Sequence, residues 1–346
     1  MAEAKPWAGG EDRLVCRAIW DEAPGVKTFR LAPQSGAAVH FHAGQFITLG
    51  LPLASGTAWR CFTIASSPLQ TDAIDLTVKA PMEAGRLNAS ATAWMHAHLI
   101  PGMALAAKPP TGPFCLMAPP ESPLLLVSAG SGATPMAAIA RYLRDIDDHT
   151  PVHYVHLGRR AADWLFRPEI EAIAAALGSW KLNWLASSDG RPTAETFASL
   201  TPDLATREVF CCGPAGFMAA VEEAHARAGG PAARFRKEAF TAIPIPEFAE
   251  STAPEASHSD AFRLRFEPSG REGEARPGET VLSVSQRLGL AIPYACADGI
   301  CGTCRIRCVS GEVEMNHQGG IEEEEIAAGD ILACCSIPRS PLVLKV

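Results

Sequence analysis

The sequence predicts a multidomain chain: an antiparallel β-barrel domain, an α/β domain on a parallel sheet, and a small α+β domain holding clustered cysteines. Three observations carry that prediction. At 346 residues the chain exceeds what one small core organises. Its texture changes near residue 120 from short alternating runs to strands alternating with helices. Finally, Cys296, Cys301, Cys304 and Cys334 read C-x4-C-x2-C, then 29 residues, then C. Three thiolates on one loop and a fourth far along the chain can converge on two irons, so this spacing points to a [2Fe–2S] cluster and one-electron chemistry.

Taken in order, residues 1–118 read as the barrel. Alternating runs at 12–20, 26–32, 44–51 and 74–80 are separated by Gly, Pro and Ser turns. Residues 119–240 read as βαβ units. The apolar run PLLLVSAGSG (Pro123 to Gly132) leads into the amphipathic stretch TPMAAIARYLRDI, and the alternation repeats through VHYVHL, IEAIAAAL, LNWLAS, EVFCCG and FMAAVEEAHARAG. Residues 241–259 are rich in Pro, Ala, Ser and acids and read as a linker. Residues 260–346 supply two strands, a short helix and the cysteine loop, and the run Glu322 to Glu325 suits a helix start, where carboxylates meet the positive dipole end.

Composition narrows the function classes. Hydrophobic residues are 47% and charged residues 20%, ordinary for a globular chain. A net charge of −8 argues against nucleic-acid binding, which needs a concentrated basic face. No apolar run is long enough to span a bilayer, and the first ten residues lack a signal-peptide core, so the expectation is a cytoplasmic chain without membrane contact. In a reducing compartment, clustered members of the eleven cysteines read as metal ligands, whereas Cys16, Cys61, Cys115 and Cys308 read as small buried hydrophobes.

Within the loop PYACADGICGTC the residues between the cysteines are small. Ala295, Ala297, Gly299, Gly302 and Thr303 let backbone N–H groups approach cluster sulfurs. Together with the helix ETVLSVSQRLGL and the closing ILACCSIP, this loop resembles the plant-type ferredoxin domain, which implies a β-grasp fold; a zinc site is the competing reading. Cys335 adjoins Cys334, and both are candidates for the fourth ligand. Pro338, four residues beyond, selects Cys334 on the family's pattern.

The segment RCFTIASSP (Arg60 to Pro68) resembles the R-x-[YF]-[ST] signature of the ferredoxin–NADP-reductase superfamily. The resemblance implies that Arg60 meets flavin pyrophosphate with its planar fork. Phe62, Thr63, Ile64 and Ala65 would then line the isoalloxazine, with Phe62 lacking the hydroxyl of the family's usual Tyr. A helix start near Trp94 offers Thr92 for phosphate, with Gly85 as the alternative turn. TGPF (Thr111 to Phe114) is similar to a segment of FAD-type members, so FAD is expected rather than FMN.

AGSGATPM (Ala129 to Met136) follows a buried strand and resembles the superfamily's G-x-G-x-x-P turn. Gly130, Gly132, Thr134 and Pro135 are therefore expected at a pyridine-nucleotide pyrophosphate. CCGPAGFM carries the family's C-G-P motif, which implies Cys212 beside the nicotinamide and Gly213 and Pro214 shaping its space. KEAF resembles the closing E-x-F, with Glu238 and Phe240 near the flavin; Phe240 as packing is the competing reading. Arg159 and Arg160 follow VHYVHL and are compatible with NADH or NADPH, with NADH preferred. His153 and His156 alternate on that strand and read as core or surface residues.

The chain as a whole thus resembles a flavin reductase fused to a C-terminal ferredoxin, as in reductases of Rieske oxygenases of the betaine demethylase type and in hybrid-cluster protein reductases. The resemblance implies that electrons pass from NADH through FAD and the cluster to a terminal oxygenase or another one-electron acceptor. A non-catalytic iron–sulfur redox sensor is the rival from another class.

Overall fold

The computed structural model describes residues 5–53, 56–81, 91–238, 261–290, 292, 299, 304–317, 321 and 323–346. The expected linker at 241–259 and Phe240, Cys296 and Cys301 lie outside them. The chain divides into two compact units, Met1–Ile245 and Pro246–Val346.

The first unit opens with β1 (Leu14–Ala23), β2 (Val26–Pro33), β3 (Phe46–Leu53), β4 (Gly56–Thr63) and β5 (Ile74–Lys79). Helix α1 (Ala91–His98) and β6 (Ala104–Thr111) follow. The strands form one antiparallel sheet in the order β4-β3-β6-β1-β2-β5. A bridge between Ile64 and Leu76 joins its two edges, so the sheet closes as the expected barrel. Leu14, Phe29, Leu31, Ile47, Leu49, Ile64, Ile74 and Leu76 fill the interior with no solvent exposure. Strand β6 was hidden in the sequence because Pro109 and Pro110 break its pattern. They fall where the β3–β6 register jumps from Phe46↔Thr111 to Thr48↔Lys108, an irregularity at which a missing N–H costs no ladder bond.

The same unit continues with β7 (Leu124–Ala129), α2 (Ala133–Asp145), β8 (Val152–Gly158), α3 (Arg167–Leu177), β9 (Trp180–Ala186), α4 (Ala194–Leu200), β10 (Glu208–Cys212), α5 (Ala215–Arg227) and β11 (Phe235–Glu238). The five strands are parallel in the order β11-β10-β7-β8-β9. Every residue of the central β7 is buried, as a strand covered by helices on both faces requires. Val26, Ala43, Ala65, Phe114 and Leu116 of the barrel region share one core with Met136, Ala137, Tyr154 and Cys212.

The second unit contains β12 (Phe262–Glu267), β13 (Arg271–Ala275), α6 (Val281–Arg287), β14 (Arg305–Ser310), β15 (Val313–Met315), α7 (Glu323–Ala327), β16 (Asp330–Leu332), β17 (Ser336–Pro338) and β18 (Leu342–Lys345). Its main sheet runs β13-β12-β18-β14-β16, with β12 and β18 parallel, beside a β15–β17 pair. Val281, Leu282 and Val284 of α6 enter the core with Leu264, Phe266, Ile306 and Leu344. This is the expected α+β arrangement, and α7 begins with Glu323, Glu324 and Glu325 in its first turn.

Candidate functional site

Register aligns one row of side chains across the parallel sheet. Glu238 pairs with Cys212, Cys212 with Ser128, Ser128 with His156, and His156 with Trp184. Just beyond, at the carboxyl ends of β7, β8 and β10, lies a cleft of about 680 Å³. Open parallel sheets bind ligands at such strand ends. Gly130, Gly132, Arg159, Gly213 and Pro214 line it, and the barrel contributes the turn Ala23–Val26 and the end of β5 at Lys79–Pro81.

The glycines serve different ends. Gly130 has φ +56° and faces open space, so its backbone is free to meet a ligand. Gly132 is fixed by packing, because a Cβ there would lie 2.2 Å from the carbonyl oxygen of Cys212. At Gly213 a Cβ would come within 2.9 Å of the Phe217 ring. Thr134 and Pro135 sit in the first turn of α2, both buried and off the cleft wall. Thr134 Oγ1 donates to Ser131 O at 3.0 Å, and Pro135 occupies a first-turn position that lacks an intrahelical N–H partner anyway. These two residues, expected at the nucleotide, hold the turn that adjoins Gly130. Cys212 is also wholly buried and off the wall, its thiol pushed well up by burial, with Glu238 and Cys211 adding to the shift.

The predicted flavin strip lies at the end of β4. Arg60, opposite Leu49, is half-buried and donates from Nη1 to Trp59 O at 2.8 Å. Phe62 packs against the barrel core, and Thr63, opposite Phe46, is buried. Ile64 donates its N–H to Gln45 O at 3.0 Å, and Ala65 to Asp75 O at 2.8 Å. Thr63 Oγ1 reaches Glu238 Oε2 at 3.5 Å, linking the strip to the sheet row. Burial lifts the Glu238 carboxyl to about 8, against the opposing pull of the Thr63 hydroxyl. A buried, protonatable carboxyl with one long partner, beside the strip and the row, fits a site that receives a polar ring system. Thr92 is half-buried near the start of α1; Gly85, its alternative, lies outside the described residues.

The two strand histidines are core residues. His153 is held by Asn183 Oδ1 and Thr201 Oγ1, both at 2.7 Å, and His156 Nδ1 meets Ser128 Oγ at 2.8 Å. Gly190 sits at φ +122° in an exposed turn.

Two arginines that the sequence did not mark join the barrel to the sheet region. Arg141 of α2 donates to Ala65 O at 2.6 Å, and Arg236 of β11 to Cys115 O at 2.7 Å. Arg141 reads in the sequence as one polar position of an amphipathic helix, and nothing local reveals its distant partner.

In the second unit Cys304 and Cys334 are buried, whereas Cys335 is half-exposed. The Gly299 N–H donates to Cys334 Sγ at 3.2 Å, and Ala333 N donates to Cys304 O at 3.1 Å, which draws the two segments together. Gly299 has φ +71°, and a Cβ there would lie 2.7 Å from Cys335 Sγ. An N–H aimed at a cysteine sulfur suits a thiolate whose negative charge is shared with iron, so the described residues fit a [2Fe–2S] cluster. Cys296 and Cys301, the remaining expected ligands, lie outside the described residues.

Among the described residues no helix is long and apolar enough to cross a membrane. The chain matches the family models of an oxidoreductase FAD-binding domain over residues 20–115, an oxidoreductase NAD-binding domain over 126–223, and a 2Fe-2S iron–sulfur cluster binding domain over 264–339. It is 36% identical to the stachydrine N-demethylase reductase subunit Stc4 of Rhizobium meliloti (strain 1021), covering 96% of this chain and 95% of that one. It is 33% identical to the glycine betaine monooxygenase reductase subunit of Pseudomonas aeruginosa (strain UCBPP-PA14), covering 98% and 96%. Among solved structures, phthalate dioxygenase reductase shares the fold, with TM-score 0.66 at 22% identity over 96% of this chain and 97% of that one.

Proposed function

We propose a function from one premise: this chain belongs to the family of oxygenase reductase subunits that join FAD-binding, NAD-binding and 2Fe-2S cluster-binding domains in one polypeptide. It is an oxidoreductase that passes electrons from a nicotinamide nucleotide through FAD and a [2Fe–2S] cluster to an oxygenase. The finer reading is that NADH is the donor and that the acceptor is a Rieske-type oxygenase that demethylates an N-methylated quaternary ammonium compound. The substrates named for the two relatives support that choice. We place the reaction in the cytoplasm.

The observation that carries the reading is the cleft at the strand ends, with Gly130, Gly132 and Gly213 on one wall and a barrel turn on the other. When bound, FAD supplies hydride acceptance and single-electron release, and the cluster supplies one-electron carriage. The chain's own work is binding and positioning. Gly130 offers backbone to the nucleotide pyrophosphate, while Gly132, Thr134 and Pro135 hold the turn that presents it. Arg159, on the cleft wall, meets the adenosine end. Gly213 and Pro214 keep room for the nicotinamide, with the buried Cys212 behind them, its thiol held protonated by burial. Arg60 and Thr92 hold flavin phosphates, and Phe62 to Ala65 with Glu238 and Phe240 border the flavin ring. Cys296, Cys301, Cys304 and Cys334 ligate the cluster, with the Gly299 N–H on Cys334 favouring it over Cys335.

The test is one anaerobic spectrum. Holoprotein titrated with NADH should lose its flavin and cluster absorbance without any partner, and addition of the oxygenase should restore the oxidised spectrum. Protein that NADH leaves unbleached would refute the reading.

A further inference from the structure

Arg141 occupies a polar position of α2, yet its side chain is only 14% exposed. Each of its three guanidinium nitrogens donates a hydrogen bond. Nε donates to Glu169 Oε1 at 2.9 Å, Nη2 to Glu169 Oε2 at 2.5 Å, and Nη1 to Ala65 O at 2.6 Å. The group also lies 5.0 Å over the Phe166 ring, on a residue held at φ +58° before α3. Burial opposes its charge, but the Glu169 carboxylate outweighs burial and raises the guanidinium above its ordinary range. Burial alone would lift the Glu169 carboxyl; Arg141, with Arg144 in support, brings it below its usual value. One planar fork thus ties α2, the start of α3 and the barrel together.

What the fork ties matters more than its strength. Ala65 ends the strip that begins at Thr63, and its N–H is held by Asp75 O at 2.8 Å. Helix α2 begins at the turn Gly130–Gly132 that borders the cleft. Apolar contact between these regions already exists through Val26, Ala43, Phe114 and Leu116. Such contact is non-directional and permits small sliding. The bidentate pair with Glu169 instead locks the guanidinium orientation on α2 and α3, so that its remaining Nη1 donates to Ala65 O in one fixed direction.

We propose that Arg141 is a positioning residue for hydride transfer, fixing the barrel strip Thr63–Ala65 against the helix that carries the cleft turn Gly130–Gly132. The inference rests on the functional reading above, in which the strip borders the flavin and the turn holds the nucleotide. Hydride transfer needs reacting atoms about 3–3.5 Å apart, and a misplacement of about 1 Å costs roughly 100-fold in rate. Lysine retains the charge but has no planar fork, so it cannot hold both Glu169 oxygens and the Ala65 carbonyl in one geometry.

The test compares wild-type holoprotein with Arg141→Lys, Arg141→Met, Glu169→Gln and, as a second interdomain arginine, Arg236→Met. Anaerobic stopped-flow mixing with NADH reads the limiting rate of flavin bleaching and the NADH concentration at half that rate. Fluorescence titration of the apoproteins reads FAD affinity. The limiting rate should fall by about 10-fold or more in Arg141→Met, with Arg141→Lys and Glu169→Gln intermediate and Arg236→Met smaller. The half-saturating NADH concentration and the FAD dissociation constant should stay within about twofold, because each half-site is intact. An unchanged limiting rate, or a fall matched by equal losses of both affinities, would overturn the inference. If Arg141→Met does not fold, Arg141→Lys and Glu169→Gln decide the matter on the same readouts. Wild-type protein that NADH does not bleach is a different failure, since it removes the functional reading beneath.

Discussion

At the residue scale, Glu238 makes the sharpest claim. Its carboxyl is pushed up to about 8 by burial, so folded protein keeps a proton that the unfolded chain releases near the ordinary value of 4.5. Between those two values the native state binds more protons than the unfolded state. Stability from this group therefore falls as pH rises, by up to about 1.4 kcal/mol per pH unit. Glu238→Gln is neutral throughout and escapes that loss. The melting temperature of the variant, minus that of the wild type, should thus climb steadily from pH 5 to pH 8; a gap that stays flat with pH would show that the carboxyl is not held protonated. Glu238 itself was legible, since KEAF marks it, but its state was not, because burial is created by packing against Thr63 from the far side of the chain. Gly132 shows the same division. The motif marked it for ligand approach, and its nearest constraint is the Cys212 carbonyl at the end of β10. Arg141 left no trace in the sequence, because its partners Ala65 and Glu169 lie 76 and 28 residues away.

At the element scale, legibility followed periodicity. The β7 run and the α2 stripe were plain because burial on both faces of a strand and on one face of a helix leaves opposite patterns. Strand β6 was masked by its prolines and α4 by its brevity, although α4 carries a capping box in which Thr193 and Thr196 satisfy each other's backbone N–H. Helix α6 offers the test of how much such caps matter near the cluster. The Thr280 side chain accepts from Ser283 N at 3.3 Å, and the same first turn is tied to the cysteine segment by Leu282 N donating to Ala333 O at 2.8 Å. Removing an N-cap hydroxyl costs about 1 kcal/mol. In a unit of this size that lowers the melting temperature by about 4–8 °C. Thr280→Ala should therefore lose the visible absorbance of the cluster at a lower temperature while flavin release from the first unit stays where it was. Parallel shifts of both transitions would mean that the two units do not melt independently.

At the scale of the whole molecule, the order of textures along the chain announced the order of folds, and the cysteine spacing announced the electron's exit. The shared core between barrel and parallel sheet was not announced, because Val26, Phe114, Met136 and Cys212 lie far apart in the sequence and no local pattern links them. The boundary between the two units falls inside the Pro- and Ala-rich stretch 241–259. Those residues lie outside the described residues, and we propose from their composition alone that they act as a tether. We expect the tether to serve two encounters, one that fills the cluster from the flavin and one that empties it into the acceptor. A tether sets the effective concentration of each encounter, and one too short to satisfy both geometries suppresses whichever it cannot reach. Deleting half of residues 241–259 should slow reduction of cytochrome c or of the oxygenase while leaving the rate of flavin bleaching by NADH unchanged, since Gly130, Gly132, Arg141 and Glu238 all lie within the first unit. Stopped-flow traces at the flavin and cluster wavelengths separate the two steps, and equal slowing of both would show that the segment is part of the hydride-transfer architecture and not a tether.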